Sequence, residues 1–231
     1  MGLGLHWGLR SSEPGVNMRS KAEIVAHSRS TRLDVSSTRD QLIEAGVTLM
    51  RRNGYGATGL REILSATGAA KGSFYHYFGS KEEFAVAVLE RYAQFATEHC
   101  RTIFENTRQT PLKRLRRYFE ELIVMAGPSA PVQGCLLGSF SLEIAGTSSV
   151  LQKCLNLGFA QWQAAISGLL REAMEKGELP KSADADSLAG FVLSSWEGAL
   201  LRSQASRSEG PLKEFVHYVF DRLLTSRLAG A

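Results

Sequence analysis

The chain has 231 residues, 44% hydrophobic and 22% charged, a composition that excludes a disordered or fibrous protein and is typical of one or two globular domains. The net charge of +4 permits an anionic partner but is too small for a protein that holds nucleic acid by charge alone.

The first 36 residues are rich in Gly, Ser, Arg and His and lack an apolar period, so they are predicted to form a flexible leader. From Ser37 onward the apolar residues follow a helical period almost throughout, which predicts an all-α fold. Helices are predicted at about 38–53, 58–67, 71–77, 80–106, 111–126, 132–145, 148–177, 184–206 and 211–228.

The stretch FYHYF, residues 74–78, places five large side chains in a row inside a short predicted helix. Phe74 and Phe78 lie four apart on one face, where they can join Leu60 and Ile63 in a small core. The other side chains then face outward just after a turn at Gly68. An aromatic cluster alone is more often core, but a helix, a glycine turn and a helix with polar aromatics is the arrangement of a DNA-reading helix-turn-helix.

Residues 38–84 closely resemble the N-terminal DNA-binding domain of the TetR/AcrR family of bacterial transcriptional regulators, through NGYGATGLREI, TGAAKGSFYHYF and GSKEEF. The resemblance implies a three-helix helix-turn-helix DNA-binding domain at 37–84 and a helical ligand-binding and dimerisation domain at 85–231. It also implies a homodimer that binds a palindromic double-stranded DNA operator. Members of the family usually repress transcription and leave DNA when a small-molecule effector binds.

The resemblance carries roles to individual positions of the first domain. Thr58 matches a phosphate-contacting threonine; Lys71, Gly72 and Ser73 match base-reading positions; Tyr75, His76, Tyr77 and Lys81 match positions that usually hold phosphates. Gly59, Ala69 and Ala70 depart from the common pattern. Ala70 stands where Ser or Thr often caps the recognition helix, and a missing cap costs about 0.5–2 kcal/mol. We therefore expect a recognition helix that is looser until DNA orders it.

The segment PVQGCLLGSFSLEIAG, residues 131–146, resembles a stretch in one branch of the family, which includes sensors of reactive electrophiles and of small unsaturated acids. Cys135 occupies the place of the sensing thiol in some of these relatives. A sensor needs a thiolate stabilised by a helix N-terminus or a cation. The alternative is that Cys135 is a small buried hydrophobe, as free cysteines usually are.

Other candidates in the second domain have two interpretations each. Phe140, Tyr118 and Trp162 either line an effector pocket or belong to the core. Glu143 either meets a cationic ligand or accepts hydrogen bonds within the chain, which we favour. Glu197 is similar, with Arg202 as a possible neighbour. The small residues of helix 184–206 and the apolar stripe of the last helix either pack within the chain or form a two-fold dimer.

The remaining patterns argue against other functions. HExxH, GxSxG, a phosphate-binding loop and a helical carboxylate pair are all absent from the sequence, so no catalytic residues and no enzyme are predicted. The three cysteines have no metal-ligand spacing, and no metal or cofactor is expected. No apolar run reaches the length of a membrane span, and we expect a cytoplasmic protein. A protein-interaction module without specific DNA binding remains the alternative function.

Overall fold

The computed structural model describes residues 37–130 and 134–225, and within these ranges the regular structure is helical. The prediction of a flexible leader at 1–36 lies outside the described residues. The helices are α1 Thr38–Asn53, α2 Leu60–Thr67, α3 Lys71–Tyr77, α4 Lys81–Phe104, α5 Pro111–Ala126, α6 Leu136–Ile144, α7 Ser149–Glu175, α8 Ala185–Ser206 and α9 Gly210–Tyr218.

The ends of the first two helices are set by hydrogen bonds and backbone conformations of the residues beside them. The Ser37 hydroxyl accepts a hydrogen bond from the Asp40 amide at 3.1 Å and caps α1. Gly54, with φ of 86°, ends α1 in a conformation that favours glycine. Helix α2 begins at Leu60, later than predicted, because Thr58 belongs to the preceding turn and donates its hydroxyl to the Gly54 carbonyl at 2.7 Å.

The short helix α3 is held by an aromatic core, and this confirms the prediction for Phe74 and Phe78. Both side chains are buried. Their ring centroids lie 5.2 Å and 5.0 Å from that of Phe84 on α4, in tilted and edge-on arrangements that aromatic pairs favour. Ala70 provides no side-chain cap, as expected from the sequence. The position of α3 therefore depends mainly on its two buried rings.

Helix α4 connects the helix-turn-helix to the rest of the chain. Ser80 accepts from the Glu83 amide and caps α4, and the Glu83 carboxylate accepts from the Gly79 amide just before the cap. Helix α1 approaches α4 closely at Gly46, where a Cβ atom would lie 2.5 Å from the Phe84 ring. The DNA-binding helices are thus packed directly on the helix that leads into the second half.

Helices α5 to α9 share a core in which the rings of Phe119, Trp196 and Phe215 lie 5.0–5.5 Å apart. The apolar stripe of the last helix packs within the chain, as part of this core. Its buried members are Leu212, Phe215, Val216, Val219, Phe220 and Leu224. The prediction of one continuous α-helix over 211–228 is wrong at residues 219–223, and residues 226–228 lie outside the described residues. The α-helix ends at Tyr218 and widens into a π-helical turn at Val219–Leu223, which brings the Phe220 ring to 6.0 Å from that of Phe119.

No helix in the two described ranges is both long enough and apolar enough to cross a bilayer.

Candidate DNA interface and sensor site

The outward face of α3 carries the polar groups that the sequence predicts there. Tyr75 is 53% exposed and Tyr77 is 39% exposed, and Lys71 and His76 are exposed beside them. A Cβ atom on Gly72 would meet nothing within 4 Å, so the start of the helix is open to a close-approaching surface. The structure thus brings hydroxyls, an imidazole and an ammonium group together on one short helix, with Ser73 half-buried at its edge.

Thr58 and Lys81 are placed differently from the α3 residues. Thr58 is 0% exposed, and its hydroxyl is bound to Gly54. The Lys81 ammonium donates to the Tyr55 carbonyl at 2.6 Å and lies 4.5 Å from the Tyr55 ring centroid. Burial lowers the pKa of Lys81, while the charge of Glu143 raises it. In this structure the polar ends of Thr58 and Lys81 therefore support the turn between α1 and α2.

The same turn is attached to α6 in the second half of the chain. The exposed Glu143 carboxylate accepts from the backbone amides of Tyr55 at 3.2 Å and Gly56 at 2.7 Å. The Phe140 ring, one turn earlier on α6, stands edge-on to the Tyr55 ring at 5.6 Å. Glu143 thus accepts hydrogen bonds within the chain, as favoured from the sequence. Phe140 is completely buried in this contact.

Arg51 makes a second attachment at the beginning of α6, which the sequence did not indicate. Its guanidinium donates to the Gly134 carbonyl at 3.1 Å and to the Met125 carbonyl at 2.9 Å. Residues 51 and 134 are 83 positions apart, so no local spacing could have identified the pair. The nine-residue helix α6 is therefore held by the DNA-binding helices at both of its ends.

Cys135 is the N-cap residue of α6, which begins at Leu136 and not at residue 132 as predicted. It is 7% exposed. The Tyr92 hydroxyl donates to its sulfur at 3.8 Å, and the thiol is hydrogen-bonded to the Glu197 carboxylate. Burial, followed by the charge of Glu197, raises the pKa of the Cys135 thiol well above its usual value. The burial of Cys135 agrees with its interpretation as a small buried residue, and its role as a sensor stays a prediction.

Tyr118 and Trp162 lie in the same interior region. Tyr118 is 2% exposed, its ring centroid is 6.5 Å from that of Trp162, and its hydroxyl is hydrogen-bonded to Cys100. Burial raises the pKa of Tyr118, and the nearby Cys135 adds to this effect. The indole Nε1 of Trp162 is buried without a hydrogen-bond partner. Tyr118 therefore lies between Cys135, whose charge affects its pKa, and Trp162, whose ring it faces.

Glu197 is the residue of this region whose role the sequence left open. Arg202 is not its partner, because Arg202 pairs with Glu214 at 3.6 Å. Burial raises the pKa of Glu197 to about 7, and the hydrogen bond from Cys135 opposes the rise. One carboxylate oxygen, Oε1, is buried without a hydrogen-bond partner. Among the described residues no three His, Cys, Asp or Glu side chains are grouped to hold a metal ion.

Comparison with known proteins agrees with this architecture. Residues 42–88 match the family described as bacterial regulatory proteins, tetR family, and residues 111–219 match the Tetracyclin repressor-like, C-terminal domain. The HTH-type transcriptional repressor DhaR of Mycobacterium sp. (strain GP1) is 34% identical over 81% of this chain and 93% of its own length. The transcriptional regulator AcuR of Cereibacter sphaeroides is 34% identical over 84% of this chain and 88% of its own length.

A crystal structure of E. coli NemR in its reduced form superposes with a TM-score of 0.75 at 28% identity, over 84% of this chain and 99% of that one. These matches cover both the helix-turn-helix and the helices that follow it, and they favour a DNA-binding regulator over an interaction module without DNA binding. The chain belongs to the tetR family of bacterial regulatory proteins and is a helix-turn-helix transcriptional regulator.

Proposed function

We propose that the protein is a cytoplasmic repressor that binds a palindromic operator as a homodimer and is released when a small molecule reacts with Cys135. The observation that carries the proposal is the exposed face of α3, where Lys71, Tyr75, His76 and Tyr77 lie together. Membership of the tetR family supports operator binding, and the buried contacts of Cys135 support the choice of sensor.

Helix α3 has the dimensions of a major-groove reader. Its seven residues extend about 10 Å, and the major groove is about 12 Å wide. Residues 38–91 contain seven basic and six acidic side chains, so their net charge is only 7 − 6 = +1. Non-specific attraction to DNA is therefore weak. Affinity must come from a few placed contacts in each half-site, doubled by a dimer.

The free faces of α7 and α8 are the surface that we assign to the dimer. Phe191 and Leu201 are more than half exposed on α8, and Ser194 and Gly198 lie between them at helical spacing. Leu157 on α7 is also more than half exposed. Small residues between large apolar ones allow a second helix to approach closely. Because the stripe of the last helix is already buried, α7 and α8 supply the apolar surface for a two-fold contact.

Helix α6 is the connection through which we infer that the sensor acts on the DNA-binding helices. It begins at Cys135 and is attached to α1 through Arg51 and to the following turn through Glu143. That turn fixes Thr58 just before α2, and α1 contacts both α2 and the recognition helix α3. A displacement of α6 would therefore change the position of α2 and α3 relative to the operator.

Cys135 is supported as the sensor by its neighbours. A cysteine that only fills space needs no polar contacts, whereas this one has the Tyr92 hydroxyl and the Glu197 carboxylate beside its sulfur. The relative described as a reduced form, E. coli NemR, also fits a family member whose state depends on thiol chemistry.

Replacing Lys71 or Tyr75 by Ala is expected to weaken operator binding, because each removes a donor from the groove-facing side of α3. The loss should be about 1–3 kcal/mol for a base contact, measured by fluorescence anisotropy with DNA from upstream of the protein's own gene. Lys153→Ala, at an exposed position on α7, is the matched control. Full affinity in both α3 variants would contradict the proposed interface.

Phe191→Asp is expected to dissociate the dimer, because it places a carboxylate opposite its own symmetry mate in an apolar contact. The loss should be about 2 kcal/mol or more, measured by sedimentation at micromolar concentration. Tyr218→Asp, at another exposed aromatic residue, should leave the dimer intact. A Phe191→Asp protein that sediments like the wild type would place the interface elsewhere.

Cys135→Ser is expected to abolish the release of operator DNA by a small electrophile while leaving operator binding unchanged. The hydroxyl of serine is a much weaker nucleophile than a thiol. The test is anisotropy of the protein–operator complex during titration with methyl vinyl ketone, with Cys154→Ser as control. Equal release from wild type and Cys135→Ser would assign the effect to another site.

In Glu143→Ala, modification of Cys135 is expected to no longer release operator DNA. The substitution removes the acceptor for the Tyr55 and Gly56 amides and so breaks one attachment of α6. Intact-protein mass spectrometry should show unchanged modification of Cys135, and anisotropy should show that the modified variant still holds operator DNA. The exposed neighbour Leu142→Ala, one residue away, is the control. Normal release from modified Glu143→Ala would show that the signal takes another route.

A further inference from the structure

We propose that Glu197 is the proton acceptor of the Cys135 thiol, and that the two side chains form a buried reactive pair for small uncharged electrophiles such as α,β-unsaturated ketones. The inference rests on the proposed sensor function and adds the residue that makes the thiol reactive and the charge class of the effector.

The geometry around Gly138 brings the two groups together. Gly138 lies on the first turn of α6, and a Cβ atom there would be 2.4 Å from Oε2 of Glu197 and 3.7 Å from Cβ of Cys135. Any larger residue would push the carboxylate away from the cysteine. The absence of a side chain at position 138 thus makes the space in which Glu197, from α8, reaches the thiol and accepts its hydrogen bond.

The polar groups that face this pair come from three helices. Tyr92 on α4 donates to the sulfur, and the backbone of Gly138 on α6 is also hydrogen-bonded to it. Tyr118 on α5 lies close enough for the charge of Cys135 to affect its pKa. Beyond these three helices, the charge of Arg51 on α1 opposes the rise in the pKa of Tyr92, and its guanidinium donates to two backbone carbonyls. Both oxygen and nitrogen donors are therefore in place to stabilise a thiolate once the proton has left.

A second observation points to a ligand at this pair: one oxygen of the Glu197 carboxylate lacks a hydrogen-bond donor. Oε1 is buried without a hydrogen-bond partner, and such groups are rare in folded proteins unless they have a function. A buried carboxylate that titrates near neutral pH is also well matched to general-base work at that pH. Glu197 fits this description, because its burial raises the pKa of its carboxyl group to about 7.

The reaction with an unsaturated ketone balances without any further reactant. The S–H proton passes to the Glu197 carboxylate as sulfur attacks the β-carbon, and the electron pair of the C=C bond moves toward the carbonyl to form an enolate. The protonated Glu197 then returns the proton to the α-carbon. The product is a thioether, and Glu197 is a carboxylate again.

The same carboxylate determines which effectors can enter. The base is active only in its charged form, and a ligand carboxylate would then meet a like charge in a low-dielectric interior, which costs free energy. A neutral ketone meets no such repulsion. The site should therefore react with methyl vinyl ketone in preference to acrylate, which carries the same vinyl group beside a negative charge.

The experiment measures the rate of Cys135 modification in the full-length protein, in a Cys100→Ser, Cys154→Ser background, by mass spectrometry between pH 5.5 and 9.5. The wild-type rate with methyl vinyl ketone should rise through pH 7 and then level off. Glu197→Gln should slow the reaction at pH 7.5 by at least about 100-fold, the usual contribution of a general base. Glu197→Asp, which keeps a carboxylate, should recover part of the rate and keep the level region.

Three results would overturn the proposal. These are a wild-type rate that keeps rising beyond pH 9 like that of an isolated thiol, a Glu197→Gln rate equal to wild type, or equal rates with ketone and acrylate. The wild-type pH profile decides the matter even if a variant fails to fold. Operator binding by the same unmodified protein is measured in parallel, so an operator-binding protein whose Cys135 does not react would refute the reactive pair alone.

Discussion

The recognition helix is too short to hold its position by its own hydrogen bonds, and the rest of the DNA-binding arrangement depends on the contact that fixes it. A seven-residue helix without a side-chain cap is marginal in water. Phe74 and Phe78 secure it by packing on Phe84 of α4. Gly46 then allows α1 to pack against the same ring. One aromatic residue at the start of α4 thus supports both the recognition helix and α1.

This arrangement makes the orientation of α4 and α6 decisive for DNA binding. On one side of the DNA-binding helices, Arg91 of α4 is paired with Asp40 and Glu44 of α1 at 2.8 Å and 2.5 Å. On the other side, α6 is attached through Arg51 and Glu143. The α4 contact is reinforced by buried rings, whereas the α6 contact consists mainly of hydrogen bonds near the surface. Hydrogen bonds of that kind contribute little free energy each, so α6 is the attachment that changes more easily.

The sequence predicts those parts of the molecule that local spacing determines. The burial of Phe74 and Phe78 follows from their separation by four residues, and the exposure of the side chains between them follows from the same geometry. The order of the nine α-helices in the described part of the chain was also predictable, because an apolar period together with a cap, a proline or a glycine marks most of them. The π-helical turn at Val219–Leu223 was not, since the stripe there fits an α-helix equally well and tertiary packing of Phe220 decides the outcome.

The contacts that connect α6 to the DNA-binding helices were not predictable in the same way. The pairs Arg51–Gly134 and Glu143–Gly56 are 83 and 87 positions apart in the sequence. In each pair one partner is a backbone group, which any residue type can supply, so the residue types do not reveal the contact. The sequence left the environment of Cys135 open for a related reason. Its place at a helix start is visible in the sequence, but burial and Glu197 dominate its pKa, and both depend on α8, some sixty residues later.

If Cys135 is the sensor that we propose, an adduct on its sulfur would displace a helix, and the packing indicates which one. The space beside Gly138 is filled by Glu197, and that beside Gly134 is filled by the Gln204 side chain, so both glycines lack spare volume. Forcing additional atoms into a packed interior costs about 1–3 kcal/mol, which is comparable to the coupling free energies of allosteric proteins. Helix α8 is anchored by the almost fully buried Trp196. Helix α6 is short and its far end is exposed, so α6 moves first, and with it the two attachments that hold the DNA-binding helices in place.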